Sequence, residues 1–163
     1  MKDFHFDHVD AARETLAGRV IRTPVLPLCS NKLTPYLPPD CAMFMKLELF
    51  QHTGSFKARG ALLGVDWLDD NMRTSGVAGF SGGNFALALA WAAQQNDVPA
   101  KVVMSKTADP LRINGCRDLG AEVVLVDGIA AAMPELDRIK AEEGRKILHP
   151  FNDLNMACGA ATC

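Results

Sequence analysis

The sequence has no apolar run long enough to span a bilayer. Asp127 separates residues 123–126 from residues 129–132, and nothing approaches the roughly 20 apolar residues that a crossing helix needs. The opening Met1-Lys2-Asp3-Phe4-His5-Phe6-Asp7 lacks the apolar centre of a secretion signal, so the expectation is a cytoplasmic protein. Charge of one sign is also missing. A net charge of -2, with no basic stripe interleaved with aromatics, gives no electrostatic case for nucleic acid. The five cysteines, Cys29, Cys41, Cys116, Cys158 and Cys163, are an odd set without C-x-x-C spacing. That argues for thiols in reducing surroundings and against a zinc site, and no metal is expected. His5 and His8 are spaced to share a helix face but precede the first expected helix; His52 reads as a turn residue and His149 as a strand end. No G-x-G-x-x-G is present, which removes the dinucleotide fingerprint, and there is no internal repeat or low-complexity tract.

With 163 residues, 48% of them hydrophobic, the chain can bury one sizeable core. From about residue 42 strands and helices alternate. The pattern predicts a strand over 42–48, a helix from Lys57 to about Asn71, a strand over 77–80 and a helix over 84–96. A strand follows at 101–104, then a helix capped by Asp109, opened by Pro110 and ended by Gly120. The β-branched run 122–126, a helix over 129–143 closed by Gly144, and a short strand at Ile147-Leu148 complete it. This order predicts an α/β fold: a parallel sheet with flanking helices and right-handed crossovers. The first 40 residues differ, with a helix over 9–17 and a proline-rich connection over 34–40.

Two turns carry chemistry. In Gly54-Ser55-Phe56-Lys57-Ala58-Arg59-Gly60-Ala61, the Thr53-Gly54-Ser55 segment reads as a turn with a capping hydroxyl, placing Lys57 in the first turn of a helix. A helix N-terminus carries partial positive charge, so an ammonium there is disfavoured and its pKa falls. The neutral amine attacks aldehydes, of which pyridoxal phosphate is the common protein-bound example. A solvated surface lysine is the other reading of this stretch. The second turn, Ser81-Gly82-Gly83-Asn84, joins the buried strand Gly76-Val77-Ala78-Gly79-Phe80 to an apolar helix starting at Phe85. Strand, glycine turn and helix together aim backbone N–H groups at an anion, although a tight connection without a ligand would look the same.

In this order and spacing, the two motifs resemble those of the fold-type II pyridoxal-phosphate enzymes, nearest to the serine/threonine dehydratases (threonine ammonia-lyases) and serine racemase. Arg22-Thr23-Pro24-Val25, Lys46-Leu47-Glu48, Asp118-Leu119-Gly120-Ala121-Glu122-Val123 and His149-Pro150-Phe151-Asn152-Asp153 extend the likeness over residues 12–162. The resemblance implies a tryptophan synthase beta-like architecture. Residues 1–75 would be the N-terminal part of the large domain, 76–150 the small parallel α/β domain, and 151–163 a return toward the large one. It implies pyridoxal 5′-phosphate as cofactor and Lys57 as its Schiff-base lysine and catalytic base. Phe56 would lie beside the pyridine ring and Asn84 on the 3′-oxygen. Ser81, Gly82, Gly83, Asn84 and Phe85 would surround the carboxylate of a small amino-acid substrate, serine or threonine. The implied reaction is loss of water and then ammonia to give a 2-oxo acid.

Departures from the family pattern refine this. Gly82 stands where serine racemases tend to carry a second serine, which favours a dehydratase over a racemase. Phe85 stands where the family often has histidine. Members of the family are about twice as long and hold the cofactor phosphate on a glycine run, whereas the only Gly-Gly pair here is Gly82-Gly83. Ala160 replaces a glutamine in the final segment. The expectation is therefore the lysine half of a site, with exposed apolar surfaces and a homo-oligomer or a complementing chain as partner. A non-catalytic relative that pairs with other chains, and a module that binds an amino acid without cofactor, are the alternatives.

Overall fold

The computed structural model describes residues 4–28, 30 and 32–163; Cys29 and the first three residues lie outside it. The α/β pattern is present as a four-stranded parallel sheet. Its strands are β3 (Val77–Phe80), β4 (Ala100–Ser105), β5 (Glu122–Val126) and β6 (Lys146–Ile147), in the order β5-β4-β3-β6. Val77 lies opposite both Ala100 and Lys146, and Lys101 opposite Glu122. Parallel strands covered on both faces read as continuous apolar runs. In β4, residues 100–104 are all buried, including Lys101, whose Nζ is neutralised by Glu143 at 2.6 Å and Glu122 at 3.1 Å.

Helices cover both faces. On one, α6 (Gly128–Glu143) buries Ala132, Leu136 and Ile139 against Ala78, Val103 and the partly buried Phe80. On the other lie α4 (Asn84–Gln94) and α5 (Pro110–Asp118), the latter capped by Asp109, whose carboxylate accepts from the Leu111 N–H at 2.9 Å. Alanines at 86, 88, 90, 92 and 93 keep α4 thin, so a further layer packs on it: α2 (Lys57–Asp66), with α7 (Leu154–Ala161) against α2 and α1 (Phe6–Thr15) against α7. One buried cluster joins Ala12, Leu62, Leu89, Val102 and Cys158 through these layers.

Four expectations are corrected. The helix from Lys57 does not reach Asn71: α2 stops at Asp66, and Asp69 caps a new helix, α3 (Asp70–Ser75), by accepting from the Met72 N–H at 2.8 Å. An acidic N-cap competes successfully with continuing the helix. The first helix starts at Phe6, so His8 lies within it and His5 is its N-cap; His8 Nδ1 accepts from the His5 N–H at 3.3 Å. The strand expected over 42–48 shrinks to β2 (Phe44–Lys46). It pairs antiparallel with β1 (Val25–Pro27), outside the parallel sheet, so the regular alternation begins at Val77. Both faces of that ribbon are open, with Val25 54% and Phe44 62% exposed, in line with the expected uncovered apolar surface. The fourth correction, to the cap before Lys57, belongs with the site. Among the described residues no helix is long and apolar enough to cross a membrane.

Helices α2 and α7 cross at two glycines. A Cβ on Gly159 would lie 2.6 Å from Gly60 Cα, and one on Gly60 would lie 2.8 Å from the Met156 carbonyl oxygen. Backbone atoms cannot yield as side chains do. Gly60→Ala or Gly159→Ala should therefore lower stability in urea titrations by about 1–3 kcal/mol. Gly64→Ala is the counter-example within α2. Its Cβ would meet Leu148 Cδ1 at 3.5 Å, an ordinary contact, and helix propensity should make it neutral or up to about 1 kcal/mol stabilising.

Candidate active site

The approach to Lys57 is strained, and within it Ser55 is buried. Thr53 adopts φ 59°, uncommon for a β-branched residue, and Gly54 follows at φ 72°. The expected capping hydroxyl is not formed: Ser55 Oγ is buried without a hydrogen-bond partner, as is Thr53 Oγ1. The first turn of α2 is closed by main chain instead, with Ala58 N–H donating to the Ser55 carbonyl and Arg59 N–H to that of Phe56. A buried polar cluster two residues along fixes the helix. Arg59, 4% exposed, donates from Nε and Nη2 to the two Glu48 oxygens at 2.9 and 2.8 Å, and from Nη2 to the Ile21 carbonyl at 3.2 Å. Thr23 Oγ1 donates to Glu48 at 2.6 Å, and Gln51 bonds both the N–H and the carbonyl of Ile21. Burial alone would raise the Glu48 pKa; the hydrogen bonds from Arg59 and Thr23 and the charges of Arg59 and Lys46 bring it below the ordinary carboxylate value.

Lys57 projects into a cleft of about 800 Å³. Its Nζ donates to the Pro150 carbonyl at 2.8 Å and sits 4.1 Å from the ring centre of Phe151 and 5.0 Å from that of Phe56. Carbonyl and ring faces favour the ammonium. Burial outweighs them and holds the amine below the ordinary lysine range. The lowered pKa expected from the helix terminus is thus found, with desolvation as its cause.

The second turn faces the same cleft. Ser81, Gly82, Asn84 and Phe85 line it with Phe56 and Lys57, and Gly83 is not among the lining residues. Ser81 Oγ accepts from the Gly83 N–H at 3.1 Å, which fixes the turn. Neither glycine is demanded by packing. A Cβ on Gly82 would meet only Ala108 Cβ at 3.5 Å, and one on Gly83 would meet nothing within 4 Å. Their bareness leaves the backbone at the start of α4 open to a ligand, where the first N–H groups of a helix lack intrahelical partners. Asn84 is already engaged through Oδ1, which accepts from Arg112 Nη1 at 2.7 Å.

Sequence reasoning assigned no site role to Phe80, Pro150, Phe151 or Arg112. Phe80 ends a strand that reads as core, and the Pro150 carbonyl and Arg112 reach the site from other elements. Phe151 stood inside a motif already noted, where an exposed aromatic after His149-Pro150 was the available signal. His149 Nδ1 accepts from the N–H groups of Phe151 and Asn152 at 3.1 and 2.9 Å, shaping that turn. His52 stacks on Trp91 at 4.7 Å, a packing role. Among the described residues no three His, Cys, Asp or Glu side chains gather as a metal site.

A partly buried amine with a flat ring beside it, and an amide and a glycine turn at a helix start, suit an aldehyde-bearing anion. The chain belongs to the pyridoxal-phosphate dependent enzyme family, whose model matches residues 17–163. It is 48% identical over 124 residues to a phenylserine dehydratase of Ralstonia pickettii, covering 76% of this chain and 38% of that protein. Among solved structures, maize serine racemase superposes with a TM-score of 0.84 at 30% identity, covering 94% of this chain and 46% of that one. A T.th. threonine deaminase superposes with a TM-score of 0.82 at 34% identity, covering 98% and 49%. The chain spans about half the length of the curated relatives it matches, or less.

The geometry makes two effects measurable. Lys57 binds a proton less readily folded than unfolded, so its cost to stability is present below its lowered pKa and fades as pH rises to the unfolded value near 10.4. Lys57→Met should therefore raise the melting temperature at neutral pH, with the gain shrinking toward pH 10; a constant gain would point to packing. Arg59→Ala, which strands Glu48, should cost about 3–5 kcal/mol in urea titrations at pH 7, and Arg59→Met combined with Glu48→Leu should recover most of it. The contribution of Glu48 is present above its unfolded pKa near 4.3 and is lost as pH falls through the lower folded value.

Proposed function

We propose that this chain carries the lysine side of a pyridoxal-phosphate site that dehydrates a β-hydroxy-α-amino acid. One observation carries the reading: the desolvated amine of Lys57 and Ser81, Gly82 and Asn84 of the glycine turn line one cleft. When bound, the cofactor supplies the electron sink that permits deprotonation at the α-carbon. Lys57 is the attachment amine and the base that moves the α-proton. The start of α4, with Ser81, Gly82, Gly83 and Phe85, receives the substrate carboxylate, Phe56 flanks the ring, and Asn84 meets the 3′-oxygen. The β-hydroxyl leaves as water, and hydrolytic release of ammonia gives a 2-oxo acid. Gly82 offers no hydroxyl to protonate the opposite face, which supports dehydration over racemisation.

The walls favour an apolar β-substituent over the small side chains of serine and threonine. Phe56, Phe80, Phe85 and Phe151, half of the eight phenylalanines in the chain, line the cleft around the amine. The relative named phenylserine dehydratase supports the same substrate class. The sequence holds no second glycine pair for a phosphate, so these residues supply the lysine side of the site and not its phosphate holder.

Borohydride reduction of the protein with pyridoxal phosphate should place the pyridoxyl label on Lys57, read by peptide mass. With the complete site, phenylserine should exceed threonine by roughly tenfold in kcat/KM. Labels scattered over surface lysines would remove the assignment of Lys57. A label on Lys57 without 2-oxo acid formation would identify a cofactor-binding, non-catalytic relative.

A further inference from the structure

Arg112 occupies a position that electrostatics disfavours. It lies in the first turn of α5, and its guanidinium reaches the first residue of α4, so the positive ends of two helix dipoles converge on a cation. Helix N-termini favour anions; the Asp109 carboxylate supplies one at the start of α5, whereas the first turn of α4 holds none. The packing explains how it arrives. Gly115, one turn along α5, fits so closely against α4 that a Cβ there would lie 2.8 Å from Leu87 Cδ2. The same face of α5 therefore carries Arg112 to Asn84, one turn before Leu87.

The contact has a chemical consequence. A guanidinium only donates, so the atom of Asn84 that faces it at 2.7 Å must be the carbonyl oxygen Oδ1. The other half of the amide, Nδ2, is left as a donor, and among the described residues no hydrogen bond engages it. Asn84 itself lines the cleft. A free asparagine can offer oxygen or nitrogen; this one is restricted to nitrogen, and the cation on its oxygen polarises the N–H bonds toward stronger donation.

We propose that Arg112 is a positioning residue that presets Asn84 as a hydrogen-bond donor to an anionic oxygen, the 3′-oxygen of the cofactor. The inference rests on the reading that Lys57 carries pyridoxal phosphate. It accounts for a cation placed at the start of α4, where the first turn holds no acidic side chain for a bound anion to compete with, whereas Asp109 already caps α5.

The test uses pyridoxal phosphate itself as probe, with affinity and the visible absorbance band as readouts. Arg112→Ala should weaken cofactor binding by about tenfold and displace the band, since the 3′-oxygen loses an oriented donor. Asn84→Asp separates positioning from structure: the new carboxylate keeps the Arg112 pair, so the melting temperature holds, but no N–H remains and affinity falls at least as far. Arg112→Lys, which still donates, should recover part of the affinity and return the band toward its original position. A borohydride label absent from Lys57 would overturn the lysine reading and this inference with it. A label on Lys57, with affinity and band unchanged in Arg112→Ala, would overturn the role of Arg112 alone. So would Asn84→Asp binding like the unaltered protein.

Discussion

The ion pair between Arg59 and Glu48 is the constraint on which the lysine turn depends. A bidentate guanidinium–carboxylate contact fixes both angle and distance, and here it is made with only 4% of Arg59 exposed. Every other donor and acceptor in the cluster serves a chain segment that would otherwise be loose. Ile21 is held through its carbonyl by Arg59 and Gln51, Thr23 through its hydroxyl by Glu48, and Thr162 at the end of α7 lies 3.4 Å from Arg59 Nη1. Three stretches far apart in sequence thus converge two residues from Lys57. Such a pair supplies little net stability, because desolvating both charges costs nearly what their attraction returns. What it supplies is a single allowed geometry for the start of α2.

Packing then carries that geometry to the second turn. The alanine-rich α4 lies between α2 and the sheet, with side chains too small to hold the layers apart. Glycines at 60 and 159 let α7 sit on α2 at backbone contact, which fixes α2 from its other side. Lys57 at the start of α2 and Asn84 at the start of α4 are therefore ends of two adjoining rigid rods. Neither turn has to be stiff by itself. This is consistent with the strain tolerated at Thr53 and the openness of Gly82 and Gly83.

The legible parts of the sequence were those whose signal is local. Strands β3, β4 and β5, the Asp109–Pro110 helix start and the Gly144 stop all depend on residues within a few positions of one another. The pairing of Phe44–Lys46 with Val25–Pro27 was not legible, because an apolar run of that length has no preference between a parallel core and an open ribbon. The break at Asp69 was hidden by a helical pattern that continues through it. In the site, Lys57 and the Ser81-Gly82-Gly83-Asn84 turn stood out because glycines bracket them. The Pro150 carbonyl and Arg112 did not, since a main-chain acceptor has no letter in the sequence and an arginine in a helix reads as surface.

The cleft divides its chemistry by depth of contact. Ser81 and Asn84 place polar groups at the start of α4, while the rings of Phe56 and Phe151 lie 5.0 and 4.1 Å from Nζ. Ring faces attract the ammonium and exclude water at once, and the second effect outweighs the first in the lowered pKa. The amine is thus kept partly dry, yet it keeps one hydrogen bond, to a carbonyl that can neither accept a proton nor react. Releasing Lys57 from Pro150 costs one neutral-acceptor contact. The arrangement holds the amine below the ordinary lysine range and sets it in one cleft with Ser81, Gly82 and Asn84.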